Sequence, residues 1–314
     1  MRRPQQPNPT EVFSSTRVRS AVELIGNTPL VRLRSITRDL PPKVEVYAKL
    51  EYFNPGGSVK DRAAWQMVRD AIADGRLTDD KTLIDSTSGN TGVAYAMIGA
   101  ALGLSVSLVM PENVSQARKD IARAYGTHII FSDPMESSDG AIRLVRQLVA
   151  EDKASGANRY FYPNQYANPG NPKAHYLTTA PEIWEQTGGR VTHFVTGLGT
   201  SGTIMGTGRR LKAYNPDIQV IGAQPTDSFH GLEGWKHMES SIQPQIFHPG
   251  ELDDMLYIDT DDGWDMTERL AREEGIFVGH SGGGSLVAAL EVASQLEEGV
   301  VVTLFPDHAD RYTN

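Results

Sequence analysis

From about residue 44 onward, short apolar runs of strand character alternate with helix-patterned segments, which leaves the chain few architectures. Residues 44–50, 82–85, 105–110, 128–131, 160–162, 191–196, 219–223 and 300–305 read as strands. Helical patterns lie between most of them. One carries apolar residues at Val59, Ala63, Met67, Ala71 and Ile72 and closes at Gly75; another covers residues 93–102 and stops at Gly103. Repeated strand–loop–helix units predict an α/β fold of mostly parallel twisted sheets, covered by helices on both faces. At 314 residues the chain has ample core for two compact lobes or one large domain.

In such folds a ligand sits beyond the carboxyl ends of the strands, where loops lead into helices. Four loops of this kind are rich in Gly, Ser and Thr: residues 54–60, 87–91, 197–203 and 279–285. Their shared composition and position suggest one site.

The first reads Asn54-Pro55-Gly56-Gly57-Ser58-Val59-Lys60-Asp61-Arg62. Ser58 and Asp61 match a capping box, which places Lys60 in the first turn of a helix. A helix N-terminus disfavours a cation, so the amine there loses its proton more readily and attacks a carbonyl more easily. A solvated surface lysine is the plain alternative, but the Pro-Gly-Gly-Ser approach lets backbone come close to a ligand. The second loop, Thr87-Ser88-Gly89-Asn90-Thr91-Gly92, opens an apolar helix with hydroxyls and free N–H groups suited to a carboxylate.

The third loop, Gly197-Leu198-Gly199-Thr200-Ser201-Gly202, satisfies the GxGxxG dinucleotide pattern. That pattern also needs an acidic residue ending the next strand, and here the strand ends in Gln224-Pro225. With hydroxyls at Thr200, Ser201 and Thr203, a cup for a phosphate monoester fits better. The fourth loop, Gly279-His280-Ser281-Gly282-Gly283-Gly284-Ser285, serves equally well as a tight packing turn or a ligand contact when read alone.

Composition removes several chemistries. The chain has no cysteine, which excludes disulfides, thiolate zinc sites, iron–sulfur clusters and a cysteine nucleophile. Its eight histidines form no HExxH or comparable metal spacing, so no metal is expected. A formal charge of −9 without a Lys/Arg-rich run argues against nucleic acid. No apolar run approaches the roughly 20 residues of a membrane span. Residues 1–16 are polar and Pro-rich with no apolar stretch after Arg2 and Arg3, and they read as a flexible tail rather than a signal peptide. A cytoplasmic location is the default expectation.

These four loops, in this order, resemble the cysteine synthase (O-acetylserine sulfhydrylase) family, tryptophan-synthase-β-like pyridoxal-phosphate enzymes. The resemblance extends from Ile25-Gly26-Asn27-Thr28-Pro29-Leu30 to Asp310-Arg311-Tyr312. It implies a two-lobed fold-type II architecture. Residues 17–50 and 164–314 would form a larger cofactor-binding lobe, and residues 51–163 a smaller mobile lobe with the substrate-carboxylate loop. By resemblance Lys60 holds pyridoxal 5'-phosphate as a Schiff base, and Gly199, Thr200, Ser201, Gly202 and Thr203 hold its phosphate. Asn90 would bond the cofactor's 3′-oxygen and Ser281 would face its pyridine nitrogen. Thr87, Ser88, Gly89, Thr91 and Gln165 would bind the amino-acid carboxylate. A hydroxyl rather than a carboxylate at the ring nitrogen weakens the electron sink and favours loss of a β-substituent.

The implied reaction is a β-replacement that converts O-acetylserine and a sulfur donor such as sulfide to L-cysteine through an aminoacrylate. The loop at residues 224–231 contains no arginine to meet a phosphate, which favours the acetyl ester. O-phosphoserine stays open as the alternative, with His230 or Lys236 as the cation, as does a cystathionine β-synthase reaction. A catalytically silent scaffold is the non-enzyme alternative. The family implies a homodimer, and a serine acetyltransferase or a sulfur-carrier protein as possible partners.

Overall fold

The computed structural model describes residues 18–87 and 89–312. It contains two sheets. The larger is built from β1 (Leu30–Arg32), β2 (Lys43–Leu50), β7 (His193–Gly197), β8 (Gln219–Pro225), β9 (Asp254–Ile258) and β10 (Glu298–Phe305), in the order β1-β2-β10-β7-β8-β9. Only the β1–β2 pair is antiparallel. The smaller sheet joins β3 (Thr82–Ser86), β4 (Ser105–Pro111), β5 (His128–Ser132) and β6 (Tyr160–Phe161) in the order β5-β4-β3-β6, all parallel.

Parallel strands need crossover connections, and helices supply them on both faces. On β10, Val301 and Phe305 pack into a core with α8 (Thr260–Glu274) and α9 (His280–Ser294). Val300 and Val302 point the other way, toward α6 (Thr179–Gln186) and α7 (Gly202–Tyr214). The smaller sheet buries Leu83 and Leu108 against α1 (Lys60–Ala73) and α2 (Asn90–Leu102). Its other face buries Ile84 and Val109 against α4 (Ser137–Ala154). This is the expected α/β architecture. All eight anticipated strands are present with shifted ends, and Gly103 ends α2 in the left-handed conformation (φ 72°) that glycine adopts without penalty.

Two strands, β1 and β9, were not anticipated. Both are sheet edges: β1 has three residues, and β9 carries the apolar run Met255-Leu256-Tyr257-Ile258 but buries fully only Ile258. The capping box at Ser58 and Asp61 also does not form. Ser58 Oγ accepts from the Lys60 N–H (3.2 Å), while the Asp61 carboxylate turns back to the Gly56 N–H. The glycine turn is tight enough that the carboxylate reaches across it, and burial pushes Asp61 up to about 7.

A buried set of charges joins the two sheets at the root of α1. Arg62 donates to Glu51 from Nε (2.7 Å) and Nη2 (2.8 Å), and to Glu182 from Nη1 (2.6 Å) and Nη2 (2.8 Å). Lys49 reaches Glu182 Oε2 and the Thr28 carbonyl, each at 2.7 Å. Thr28 Oγ1 and Asn54 Nδ2 complete the acceptor positions of Glu51. Two cations and two anions therefore balance in a closed cage. Burial alone would raise the Glu182 carboxyl, but hydrogen bonds and charge from Arg62, with help from Lys49, hold it at about 2. For Glu51 the same contest between burial and Arg62 also ends below the usual carboxylate range.

Among the described residues no helix is long and apolar enough to cross a membrane, and no group of three or more His, Asp or Glu side chains is placed to hold a metal ion.

Candidate active site

The loops that follow β2, β3, β7, β8 and β10 converge on one cavity of about 810 Å3. Lys60, Thr87, Gly89, Asn90, Thr91, Gln165, Gly199, Thr200, Ser201, Thr203 and Ser281 all line it. Of the expected site residues, Gly202 lies just behind the wall as the first residue of α7, and Ser88 lies outside the described residues.

Lys60 opens α1, and its loop is stitched to the chain beyond β10. Val59 N donates to the Pro306 carbonyl (2.9 Å), and Ser58 bridges to Asp307. Lys60 is half-buried at the cavity wall. Desolvation lowers its proton affinity, while the charges of Asp307 and Glu51 oppose that. Burial thus acts on the amine in the same direction as the helix N-terminus that the sequence suggested.

The cup at residues 199–203 depends on close backbone approach. A Cβ on Gly199 would lie 2.3 Å from the Gly234 carbonyl, and one on Gly202 would lie 1.9 Å from Asn171 Oδ1. Ser201 sits at φ 65°, an uncommon region for a residue with a side chain, directly at the N-terminus of α7. Helix α5 (Gly170–Leu177) steadies the cup's hydroxyls from behind. Asn171 Nδ2 donates to Thr200 Oγ1 (3.0 Å) and to the Gln165 carbonyl (2.8 Å). His175 Nε2 lies 3.3 Å from Thr203 Oγ1, and its Nδ1 shares a 2.8 Å hydrogen bond with Thr179 Oγ1. Burial lowers His175 to about 3, so it acts as a neutral hydrogen-bonding group.

Two of the expected carboxylate-binding residues touch: Thr91 Oγ1 donates to Gln165 Oε1 at 2.9 Å. Ser281 lies in the first turn of α9, buried at the cavity wall. Asn90 is held from both ends. Its Nδ2 donates to Asp307 Oδ2 (2.6 Å), and Arg311 donates to its Oδ1. Tyr312 donates to Asp307 as well, and Arg311 reaches the Gly56 carbonyl. Asp307 Oδ1 stays buried without a hydrogen-bond partner among the described residues, and burial raises its carboxyl.

The motifs do not mark Asp307, Asn171 or His175, and they include Arg311 without giving it a role. Asn171 and His175 share one face of α5 by their i, i+4 spacing, a usable signal once the cup is known. Asp307 has no local pattern to mark it.

A donor set of hydroxyls and helix N–H groups at one end, and a desolvated amine near the Asn90 amide, suit an anionic aldehyde such as pyridoxal phosphate. The glycine-tight cradle at Gly199 and Gly202 supports that fit. The family model described as pyridoxal-phosphate dependent enzyme matches residues 22–307. The chain is similar to a cysteine synthase of Aquifex aeolicus, with 53% identity over 93% of this chain and 89% of the relative. Cysteine synthase B of Escherichia coli is 42% identical, covering 92% of this chain and 93% of the relative. A crystal structure of cysteine synthase from Entamoeba histolytica superposes with a TM-score of 0.92 at 34% identity, covering 99% of this chain and 92% of that one.

Proposed function

Because this chain belongs to the pyridoxal-phosphate dependent enzymes, as one of their cysteine synthases, we propose that the cavity residues divide the work of a single β-replacement. The reaction converts O-acetylserine and sulfide to L-cysteine and acetate. Bound pyridoxal phosphate supplies the electron sink for loss of the β-substituent.

Lys60 is the residue that bonds the cofactor, and its freed Nζ is the base that takes the Cα proton and later returns it. Its lowered proton affinity supports that role, since a base must be unprotonated at working pH. Thr200, Ser201, Thr203 and the N–H groups at the start of α7 hold the phosphate. Asn171 and His175 keep those hydroxyls aimed. Ser281 offers the ring nitrogen a neutral hydroxyl, and Asn90 offers an amide to the ring oxygen. Thr87, Ser88, Gly89, Thr91 and Gln165 receive the substrate carboxylate, the Thr91–Gln165 hydrogen bond fixing both side chains in advance. The lobes divide at residues 17–50 and 164–314 against 51–163, with 17, 88, 313 and 314 lying outside the described residues. The enzyme acts as a homodimer in the cytoplasm.

The observation that carries the residue assignment is the convergence of Lys60, Asn90, the 199–203 cup and Ser281 on one cavity. The test is direct. Wild-type protein reconstituted with pyridoxal phosphate should gain cofactor-dependent visible absorbance and form cysteine from O-acetylserine and sulfide. Lys60→Ala should lose both, with turnover down by roughly a thousandfold or more. Retention of turnover in Lys60→Ala would reassign the base.

A further inference from the structure

Among the described residues four cationic side chains line the cavity: Lys60, Arg118, Lys236 and Arg311. Three have other duties. Lys60 is reserved for the cofactor in the reading above. Arg311 is bonded to Asn90 Oδ1 and the Gly56 carbonyl. Lys236 lies over the Tyr166 ring, its Nζ 5.2 Å from the centroid, in surroundings that lower its proton affinity through burial.

Arg118 differs. It sits on α3 (Gln116–Ala124), which packs beside the smaller sheet, and it is 33% exposed at the cavity mouth. The loop after β8 supplies no arginine, but α3 brings one across. There, however, Arg118 Nη2 is 2.7 Å from Glu233 Oε2. Glu233 also lines the cavity and immediately precedes Gly234, whose carbonyl closes on Gly199 of the cup. The carboxylate is therefore part of the mouth, next to the phosphate loop.

We infer that Glu233 sets the charge of the leaving group this site accepts, by holding Arg118 in a neutral pair. This rests on the β-replacement reading. An uncharged acetyl ester passes the pair without disturbing it. A phosphate ester carries close to two negative charges at neutral pH and needs a cation within hydrogen-bond reach. It meets a carboxylate that repels it and an arginine already occupied. Removing the carboxylate, with little change of shape, releases the arginine for the phosphate.

The experiment measures kcat/KM of the reconstituted enzyme with sulfide and either O-acetylserine or O-phosphoserine. It compares wild type, Glu233→Gln, and Glu233→Gln combined with Arg118→Ala. Wild type should prefer the acetyl ester. In Glu233→Gln the phospho-to-acetyl ratio of kcat/KM should rise about tenfold, mainly through KM for the phospho ester, and the rise should shrink with added salt. In the double variant the ratio should return to the wild-type value. An unmoved ratio in Glu233→Gln, a rise that survives loss of Arg118, or a wild type that already prefers the phospho ester overturns the inference. A wild type that converts neither ester sinks the underlying reading and this inference with it. Conversion of the acetyl ester with an unmoved ratio sinks this inference alone.

Discussion

Two charged systems span the space between the sheets, and they are built on opposite plans. At the root of α1, Arg62, Lys49 and Glu51 are closed off from water and Glu182 nearly so, with nearly every donor and acceptor engaged. At the cavity mouth, a single contact joins Arg118 to a Glu233 that is 53% exposed. Buried charges hold one geometry, because breaking any contact strands a charge away from water. An exposed pair in water contributes little to folding stability. The first system therefore fixes where Lys60 stands, two residues from Arg62. The second adds little to the fold and acts instead on the charge at the entrance.

Substitutions should separate the two plans by size of effect. Arg62→Met leaves Glu51 and Glu182 buried without their main counter-charge and should destabilise the protein by about 3–5 kcal/mol in denaturant unfolding. If Arg62→Met unfolds no more easily than a variant of the mouth pair, the contrast collapses.

Acid should attack the cage next. Glu182 is held at about 2, below the ordinary value of 4.5, so its contribution is fully present above pH 4.5 and is lost as pH falls toward 2. Unfolding free energy should decline over that window by about 2–3 kcal/mol from this group, and Glu182→Gln should flatten that part of the pH curve. A curve of unchanged slope in the variant would remove Glu182 from the account. The smallest effect belongs to the mouth. Arg118→Gln should change stability by less than about 1 kcal/mol, and by less still in high salt, as melting curves at two ionic strengths would register.

The sequence made the site more legible than the cage. Lys60, the 199–203 cup, Asn90 and Ser281 sit in runs of Gly, Ser and Thr where several neighbours carry the same message, and the structure brings them to one cavity. The cage offers no such run. Thr28, Lys49, Arg62 and Glu182 are scattered over more than 150 residues, and nothing in the sequence links them to one another. Asp307 was missed for the same reason, since its partners Asn90 and Tyr312 lie on different elements and only the folded chain unites them. The parallel sheets were legible from apolar runs; edge strand β1 is too short to give one, and the four-residue run of β9, Met255 to Ile258, is no longer than a buried turn of helix would show. The capping box failed because the Asp61 carboxylate is engaged by the Gly56 N–H instead of the one the motif assigns.

The bond from Val59 to Pro306 carries a consequence for how the enzyme comes into being. Strand β10 lies between β2 and β7, so the middle of the larger sheet is filled by its last strand in the chain. The lysine loop is secured only when that strand docks, closing a loop of well over two hundred residues, the kind of distant pairing that forms late. A partly synthesised chain thus exposes a lysine without a site around it. Competence to bind the cofactor becomes a report that the whole sheet has assembled.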